Sequence, residues 1–128
     1  MIMDWTQGAL AEGLRCYRAG EFFAAHEHWE AVWLHAPEPE KTLLQALIQI
    51  AAAFHHFHRN NLNGTRTLLQ GALKRLSPYP ASFQGVSISS LSDEIRQCLR
   101  EVEAQGTSAQ LACPSLSALG NEIPRQGN

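Results

Sequence analysis

The chain has 128 residues, a hydrophobic fraction of 45%, a charged fraction of 17% and a formal net charge of −2. This length suits one domain with a substantial core and is too short for two independent domains. The weak negative charge, without blocks of like charge, disfavours binding to nucleic acid or to an anionic membrane surface. The longest apolar stretch, 43–57, is interrupted by glutamines and histidines. It is shorter than the ~20 residues that cross a bilayer, so we expect no membrane span.

The cysteines and the N-terminal residues indicate the cellular compartment of the protein. Cys16, Cys98 and Cys113 are odd in number, far apart and without a CxxC pair, which argues against a disulfide framework or a cysteine zinc site. The first residues lack the basic start and apolar segment of a secretory signal. We therefore expect reduced thiols and a cytoplasmic protein.

The first half of the chain has the period of amphipathic helices. Apolar residues recur at intervals of one, three and four over 4–19, and Gly20 follows where a left-handed residue would end the helix. A second helix is predicted over about 22–35, since the prolines at 37 and 39 cannot continue it.

Three further helices are predicted. The third spans about 38–59 and the fourth about 62–76, and an ordered loop follows over 78–87. The fifth begins at Ser89, Ser90 or Ser92 and continues through Val102. Its buried stripe is predicted to be Leu91, Ile95, Leu99 and Val102. The composition then turns to glycine, serine, proline and asparagine, so we expect one helical-bundle domain over 1–105 and a C-terminal tail or extension over 106–128.

An internal repeat is visible at an offset of forty residues. Residues 17–22 align with 57–62, which places Gly20 against Asn60, two residue types that tolerate the left-handed conformation. The pattern of aromatic residue, tight turn and amphipathic helix resembles the unit of tetratricopeptide repeats. The predicted fold is therefore an all-α, compact bundle of about five helices with tetratricopeptide-like helical hairpins.

A polar pair interrupts the apolar face of the second helix. His26 and Glu30 lie one turn apart and share that face with Phe22, Trp29 and Trp33, while Glu27 lies farther round. A buried histidine must be paired, because an unpaired buried polar group costs roughly 1–3 kcal/mol. The simplest interpretation is an intrahelical His26–Glu30 pair at a seam of the bundle.

The third helix carries a second polar strip. Gln45, Gln49 and His56 lie with Ala52 on one face, where an ordinary solvated surface would carry Lys and Glu. If the helix is central, these side chains must hydrogen-bond across to another helix, with His26 and Glu30 as partners. The result is either a structural polar network or a ligand pocket inside the bundle.

A metal site is the sharpest version of the pocket hypothesis. His26, Glu30 and His56 offer the three nitrogen and oxygen ligands of a catalytic zinc or iron, with Glu27 or Glu30 as base on a metal-bound water. The pattern lacks the His-Glu-x-x-His spacing of zinc proteases. No phosphate-binding loop or nucleophile elbow is visible either.

These two helices resemble a known family. A "gxffeaHExxExxW" helix followed by an "LQgLIQxaaaxxH" helix is similar to the bacterial and archaeal domain-of-unknown-function family numbered 309, over about residues 10–103. The matching positions are Gly20, Phe22, Phe23, Ala25, His26, Glu27, Glu30, Trp33, Gln45, Leu47, Ile48, Gln49 and either His55 or His56. The resemblance implies a small all-α bundle whose signature polar residues are those above, and it supplies no activity. His28-Trp29 departs from the pattern, where aliphatic residues are expected.

Three function classes follow. The favoured one is a non-enzymatic binding or scaffold module with a polar pocket between helices two and three. The others are a metal-dependent hydrolase-like enzyme using His26, Glu30 and His56, and a purely structural buried network. The predicted ligand-binding residues are His26, Glu27, Glu30, Trp33, Gln45, Gln49 and His56. The partner is a small molecule or a protein, no cofactor is assigned, and a homodimer through exposed Trp5, Phe83 or the Ile88 region is a further hypothesis.

Overall fold

The computed structural model describes residues 1–105, which form five helices and one short β-hairpin. The helices are α1 (Gly8–Arg18), α2 (Phe22–Trp33), α3 (Glu40–His58), α4 (Leu62–Leu76) and α5 (Ile88–Gln105), and the antiparallel strands are β1 (Ser82–Phe83) and β2 (Val86–Ser87). The predicted all-α bundle is confirmed. The predicted tail over 106–128 lies outside the described residues.

The third helix is the centre of the bundle. It packs against α2 on one side and α4 on the other, while α1 packs on α2 and α5 packs on α4. Its predicted apolar face is buried at Leu43, Leu47, Ile50 and Phe54, and Phe57 is half-buried. Six further residues of α3 are also buried: Glu40, Leu44, Ala46, Ile48, Ala51 and Ala53. Only a narrow polar strip of α3 is therefore left partly open.

The α1–α2 and α3–α4 turns have the same geometry at an offset of forty residues. Gly20 and Asn60 both have a positive φ, of 81° and 61°. Each turn is closed by two backbone hydrogen bonds of 2.8–3.0 Å. In the first turn the N–H groups of Gly20 and Glu21 donate to the carbonyls of Tyr17 and Cys16; in the second, those of Asn60 and Asn61 donate to the carbonyls of Phe57 and His56. The two turns thus have equivalent hydrogen bonds at positions forty residues apart, and the common ancestry of the hairpins stays a hypothesis.

The first helix begins four residues later than predicted. Residues 4–7 form a turn in which the Asp4 carboxylate accepts hydrogen bonds from the backbone and hydroxyl of Thr6 and from the Gln7 side chain. Aspartate bonded to the backbone two residues on favours a turn over a helix. The apolar periodicity therefore begins before Gly8, the first residue of α1.

The predicted ordered loop over 78–87 contains the β-hairpin. Its turn residues Gln84 and Gly85 both have positive φ, of 48° and 80°. Gln84 also holds the N-terminal segment: its side chain accepts from the backbone of Met3 at 2.9 Å, and its carbonyl accepts from the Trp5 ring nitrogen at 3.1 Å. α5 then begins at Ile88, slightly before the predicted serines, and the predicted stripe is buried apart from half-buried Leu99.

This packing removes two surfaces that were predicted to be exposed. Trp5 and Ile88 are buried, and Phe83 is half-buried. The proposal that Trp5 and the Ile88 region form an exposed dimer surface is therefore wrong, while the oligomeric state stays a prediction. Within residues 1–105, no helix combines the length and the apolar character that a bilayer crossing requires.

Candidate functional site

A pocket of about 160 Å³ opens between α2 and α3. A water molecule takes roughly 30 Å³ of liquid volume, so the space matches about five waters or a small functional group. Its lining is Phe22, Phe23, His26, Ala52, His55 and His56. We call this the histidine pocket. Three imidazoles and two phenyl rings line it, with no carboxylate among them.

His26 is the least satisfied polar residue of the pocket. Its Nδ1 atom is buried without a hydrogen-bond partner, and its ring stacks on Phe23 with centroids 5.9 Å apart. Glu30, its predicted partner, is exposed to solvent. The predicted intrahelical pair is therefore wrong, because Nδ1 of His26 has no partner and Glu30 is exposed to solvent.

His56 is held in place by Asn61, in the turn between α3 and α4. Its Nδ1 lies 3.1 Å from the side-chain nitrogen of Asn61, whose carbonyl oxygen caps α4 by accepting from the backbone of Gly64 at 2.9 Å. If the Asn61 amide donates, Nδ1 accepts and the proton of a neutral His56 lies on Nε2. The cap thereby fixes both the ring position and its tautomer.

His55 was missing from the predicted binding residues. It lines the pocket beside His56, with ring centroids 6.0 Å apart, and it contacts the exposed ring of Phe23. Burial lowers the pKa of His55, and the positive charges of Arg59 and of the histidines at 56, 26 and 58 lower it further. The family pattern allowed either histidine of this pair, and only His56 was named as a binding residue.

Gln45 lines a second, separate pocket. A space of about 190 Å³ near the start of α3 is lined by Trp33, Glu38, Lys41, Thr42, Gln45 and Arg75. The Lys41 ammonium lies 4.2 Å from the centroid of a Trp33 ring and donates to the Trp33 carbonyl at 2.8 Å. Gln49 lies along the same strip and accepts from Arg75 of α4 at 3.0 Å.

The predicted network across α2 and α3 is therefore wrong. Gln45 and Gln49 are half-buried, and the bond of Gln49 goes to α4 and not to His26 or Glu30. Glu27 is exposed like Glu30. The seven predicted binding residues divide between the histidine pocket (His26, His56), the second pocket and its edge (Trp33, Gln45, Gln49), and the solvent-facing side of α2 (Glu27, Glu30).

The predicted metal ligands are not assembled. His26 and His56 share the histidine pocket, but exposed Glu30 is not part of its lining. Among the described residues, a different set of side chains has its ligand atoms within 4.8 Å of one another: Glu12, Cys16 and His28. The geometry gives no support to a hydrolase built on His26, Glu30 and His56.

A third pocket, of about 330 Å³, was not predicted. Its lining combines prolines and aromatic rings between the start of α3 and the loop before β1: Glu38, Pro39, Thr42, Pro78, Tyr79, Pro80 and Phe83. The Tyr79 hydroxyl donates to the Pro39 carbonyl, and burial raises the pKa of Tyr79. This pocket is mostly apolar, and Glu38, Thr42 and Tyr79 supply the polar side chains of its lining.

Comparisons with known proteins agree with the resemblance and add no activity. Residues 10–68 match the model of a family described as "Domain of unknown function (DUF309)". The chain is also 33% identical over 94 residues to an "Uncharacterized protein" of Aquifex aeolicus (strain VF5). The match covers 73% of this chain and 27% of that relative. The chain therefore spans about a quarter of the length of the curated relative it matches.

Proposed function

We propose from the chain's own geometry that it is a non-enzymatic binding module, whose site lies within residues 10–68, the part that matches the model of the domain of unknown function numbered 309. Its site is the histidine pocket between α2 and α3, and the bound group is a small acid, a carboxylate or a phosphate. The observation that carries the proposal is the gathering of three imidazoles around one small space whose lining contains no acid.

Electrostatics favour an anion in this pocket. The pKa of His55 is lowered by burial and by neighbouring cations, so a positive charge is disfavoured there in the empty protein. A bound anion would supply the missing opposite charge and raise that pKa. Binding then takes up a proton, so affinity rises as the pH falls from neutrality towards the pKa of His55.

The buried Nδ1 of His26 supports the same conclusion. A buried nitrogen without a partner costs about 1–3 kcal/mol, and natural proteins keep such groups where function requires them. Rotation of the His26 ring would bring that nitrogen to a ligand. The exposed ring of Phe23, at the mouth of the pocket, provides an apolar contact for the rest of the ligand.

The size of the pocket limits the ligand. A space that matches about five waters holds an acidic end group and not a whole cofactor. The ligand is therefore a small acid or the acidic side chain of a partner protein. The Aquifex aeolicus relative, of which the match covers 27%, supports a modular role, because there this region is one part of a larger chain.

The test is a titration of the histidine ring signals by nuclear magnetic resonance, with acetate and with inorganic phosphate, at pH 5.5 and pH 8. We expect saturable shifts of the pocket histidines at pH 5.5, weaker binding at pH 8, and loss of saturation in His26→Leu and His55→Gln. His35→Leu, at an exposed position just after α2, is the matched control. Shifts that do not saturate, or that persist in both pocket variants, would contradict the proposal.

A stability measurement separates binding from a purely structural role. Because Nδ1 of His26 has no partner, His26→Leu should leave the free energy of unfolding unchanged or raise it by up to about 1 kcal/mol. A structural role predicts the reverse, a loss of at least about 2 kcal/mol. Urea unfolding of His26→Leu beside His35→Leu decides between them.

A further inference from the structure

A second group of chemically active side chains lies on the other side of α2, between α1 and α2. Glu12 and Cys16 are one turn apart on α1, and His28 comes from α2. One ligand atom from each lies within 4.8 Å of the other two. Cys16 is buried, His28 is half-buried and Glu12 is exposed, so the cluster extends from the core to the surface.

We propose that Glu12, Cys16 and His28 form a binding site for a zinc ion or a similar divalent transition metal. A thiolate, an imidazole and a carboxylate are the ligand types of zinc, whereas a thiolate is a poor ligand for magnesium or calcium. Three protein ligands leave one tetrahedral position for water or for a ligand from outside.

The geometry requires only side-chain movement. Bonds of roughly 2.0–2.3 Å to a tetrahedral zinc separate the ligand atoms by roughly 3.3–3.8 Å. The present separations are at most 4.8 Å, so they exceed this by no more than about 1.5 Å. Glu12 is on the surface and His28 is half-buried, so rotation of these two side chains can close the gap while Cys16 stays in the core.

Arg15 occupies the site in the metal-free protein. Its guanidinium donates to Glu12 at 2.9 and 3.2 Å and lies 3.8 Å from the sulfur of Cys16. That ion pair is solvent-exposed on both sides, and pairs of this kind are weak. On metal binding Arg15 can move to Glu21, a carboxylate that also lies close enough to influence the thiol.

Cys16 binds a metal as its thiolate. Its sulfur is buried, and a carboxylate oxygen of Glu12 and an imidazole nitrogen of His28 lie within 4.8 Å of it. On binding, the S–H bond breaks, the metal–sulfur bond forms and one proton goes to solvent.

The experiment is a titration of the full chain with Co²⁺, monitored by absorption. We expect a thiolate-to-cobalt charge-transfer band in the near ultraviolet, one equivalent at saturation, and displacement by Zn²⁺. Release of one proton makes binding about tenfold tighter per pH unit while the thiol is protonated. Cys16→Ala should abolish the band, and Cys98→Ala, at the other buried cysteine of the described residues, should keep it.

Two further variants locate the remaining ligands. His28→Gln and Glu12→Gln should each weaken binding by more than the roughly 10- to 100-fold loss that a change outside the ligand shell produces. His35→Gln should have no effect. These variants decide the question even if Cys16→Ala does not fold, because His28 and Glu12 are less buried than Cys16.

Four results would overturn the proposal. The first three are absence of the charge-transfer band in the wild-type protein, a band that survives in Cys16→Ala or disappears in Cys113→Ser, and affinities unchanged by both His28→Gln and Glu12→Gln. Rapid alkylation of Cys16 by iodoacetamide at pH 7 without metal binding would also overturn it, in favour of a nucleophilic thiol.

Discussion

The two helical hairpins within residues 1–105 have turns with the same backbone hydrogen bonds but different side chains at equivalent positions. The turns that join α1 to α2 and α3 to α4 are closed by equivalent hydrogen bonds forty residues apart. The side chains at equivalent positions nevertheless have different sizes and polarities. The shared turns fix where the second helix of each hairpin starts, and the side chains decide how the two helices pack.

The core positions show the difference in size. Trp29 of the first hairpin is fully buried, and its ring nitrogen donates to the Leu10 carbonyl at 3.2 Å. The equivalent residue in the second hairpin is Leu69. The tryptophan needs a glycine opposite it, Gly13, where the second hairpin has Ala53. The first hairpin thus has a tryptophan opposite a glycine, where the second has a leucine and an alanine.

The polar positions show the difference in environment. Cys16 and His56 are equivalent, and the backbone oxygen of each accepts the last hydrogen bond of its turn. Cys16 meets Glu12 and His28 of its own hairpin, whereas His56 shares a pocket with His26 of the other hairpin. The same backbone position therefore contributes to a cluster within one hairpin or to a pocket between two hairpins.

The largest effect is expected for Gly13→Ala, which gives the first hairpin the residue of the second. A Cβ at position 13 would lie 2.2 Å from Nε1 and 2.5 Å from Cδ1 of Trp29. The clash should cost about 2–3 kcal/mol of unfolding free energy, net of the higher helix propensity of alanine. Urea unfolding measures it.

The matched control for this change is the same substitution in a Trp29→Leu background, which reproduces the pair Ala53–Leu69. There Gly13→Ala should be neutral or stabilising, because the ring that it meets is gone. An equal cost in both backgrounds would show that the two positions do not interact, and the size comparison between the hairpins would fail.

A smaller effect is expected for Thr65→Ala, since position 25 of the first hairpin is alanine. The Thr65 side chain is fully buried, and its hydroxyl lies 2.8 Å from the Asn61 carbonyl and 3.2 Å from the Ala53 carbonyl. Loss of the hydroxyl and methyl group should cost about 1–2 kcal/mol in urea unfolding.

Thr65→Val separates the two contributions, because it keeps the volume and removes the hydroxyl. We expect it to cost about 1 kcal/mol, and Thr67→Val, at an exposed position, to cost less than about 0.5 kcal/mol. A Thr65→Val protein as stable as the wild type would mean that the link from α4 to the Ala53 carbonyl contributes nothing to the second hairpin.

Much of this fold could be predicted because its signals are local. Gly20 and Asn60 mark the two turns, and apolar periodicity finds all five helices. The β-hairpin could not be found in this way. Its strands have two residues each, too short for an alternating pattern, and its turn is Gln84-Gly85, where the usual residues for two positive φ values are Asn-Gly.

The sites were only partly predictable, since helical periodicity gives a face but not a neighbour. The uncharged strip of α3 correctly indicated partly buried polar groups, and His26 and His56 do line one pocket. The partner of Gln49 is on α4, which no pattern within α2 or α3 could indicate. The same holds for Cys16 and His28, which come together only because α1 packs on α2.

The smallest effect, expected for Gly71→Ala, concerns that strip. Position 31 of the first hairpin is alanine, whereas a Cβ at Gly71 would lie 2.9 Å from Nε2 of Gln49. The contact is with the far end of a flexible side chain, which can rotate away at the cost of its hydrogen bond to exposed Arg75. Alanine gains about 1 kcal/mol in helix propensity and the lost bond costs about 0.5 kcal/mol, so urea unfolding should show a stabilisation of about 0.5 kcal/mol.

The sign of this small change tests whether the polar strip is adaptable. In a Gln49→Ala background the contact is absent, and Gly71→Ala should give its full stabilisation of about 1 kcal/mol. If Gly71→Ala instead destabilises the wild-type protein by more than 1 kcal/mol, Gln49 is held rigidly, as a structural network requires. A stabilised protein means that the second hairpin, like the first, accepts a side chain there, and that the Gln49 side chain can rotate away from α4.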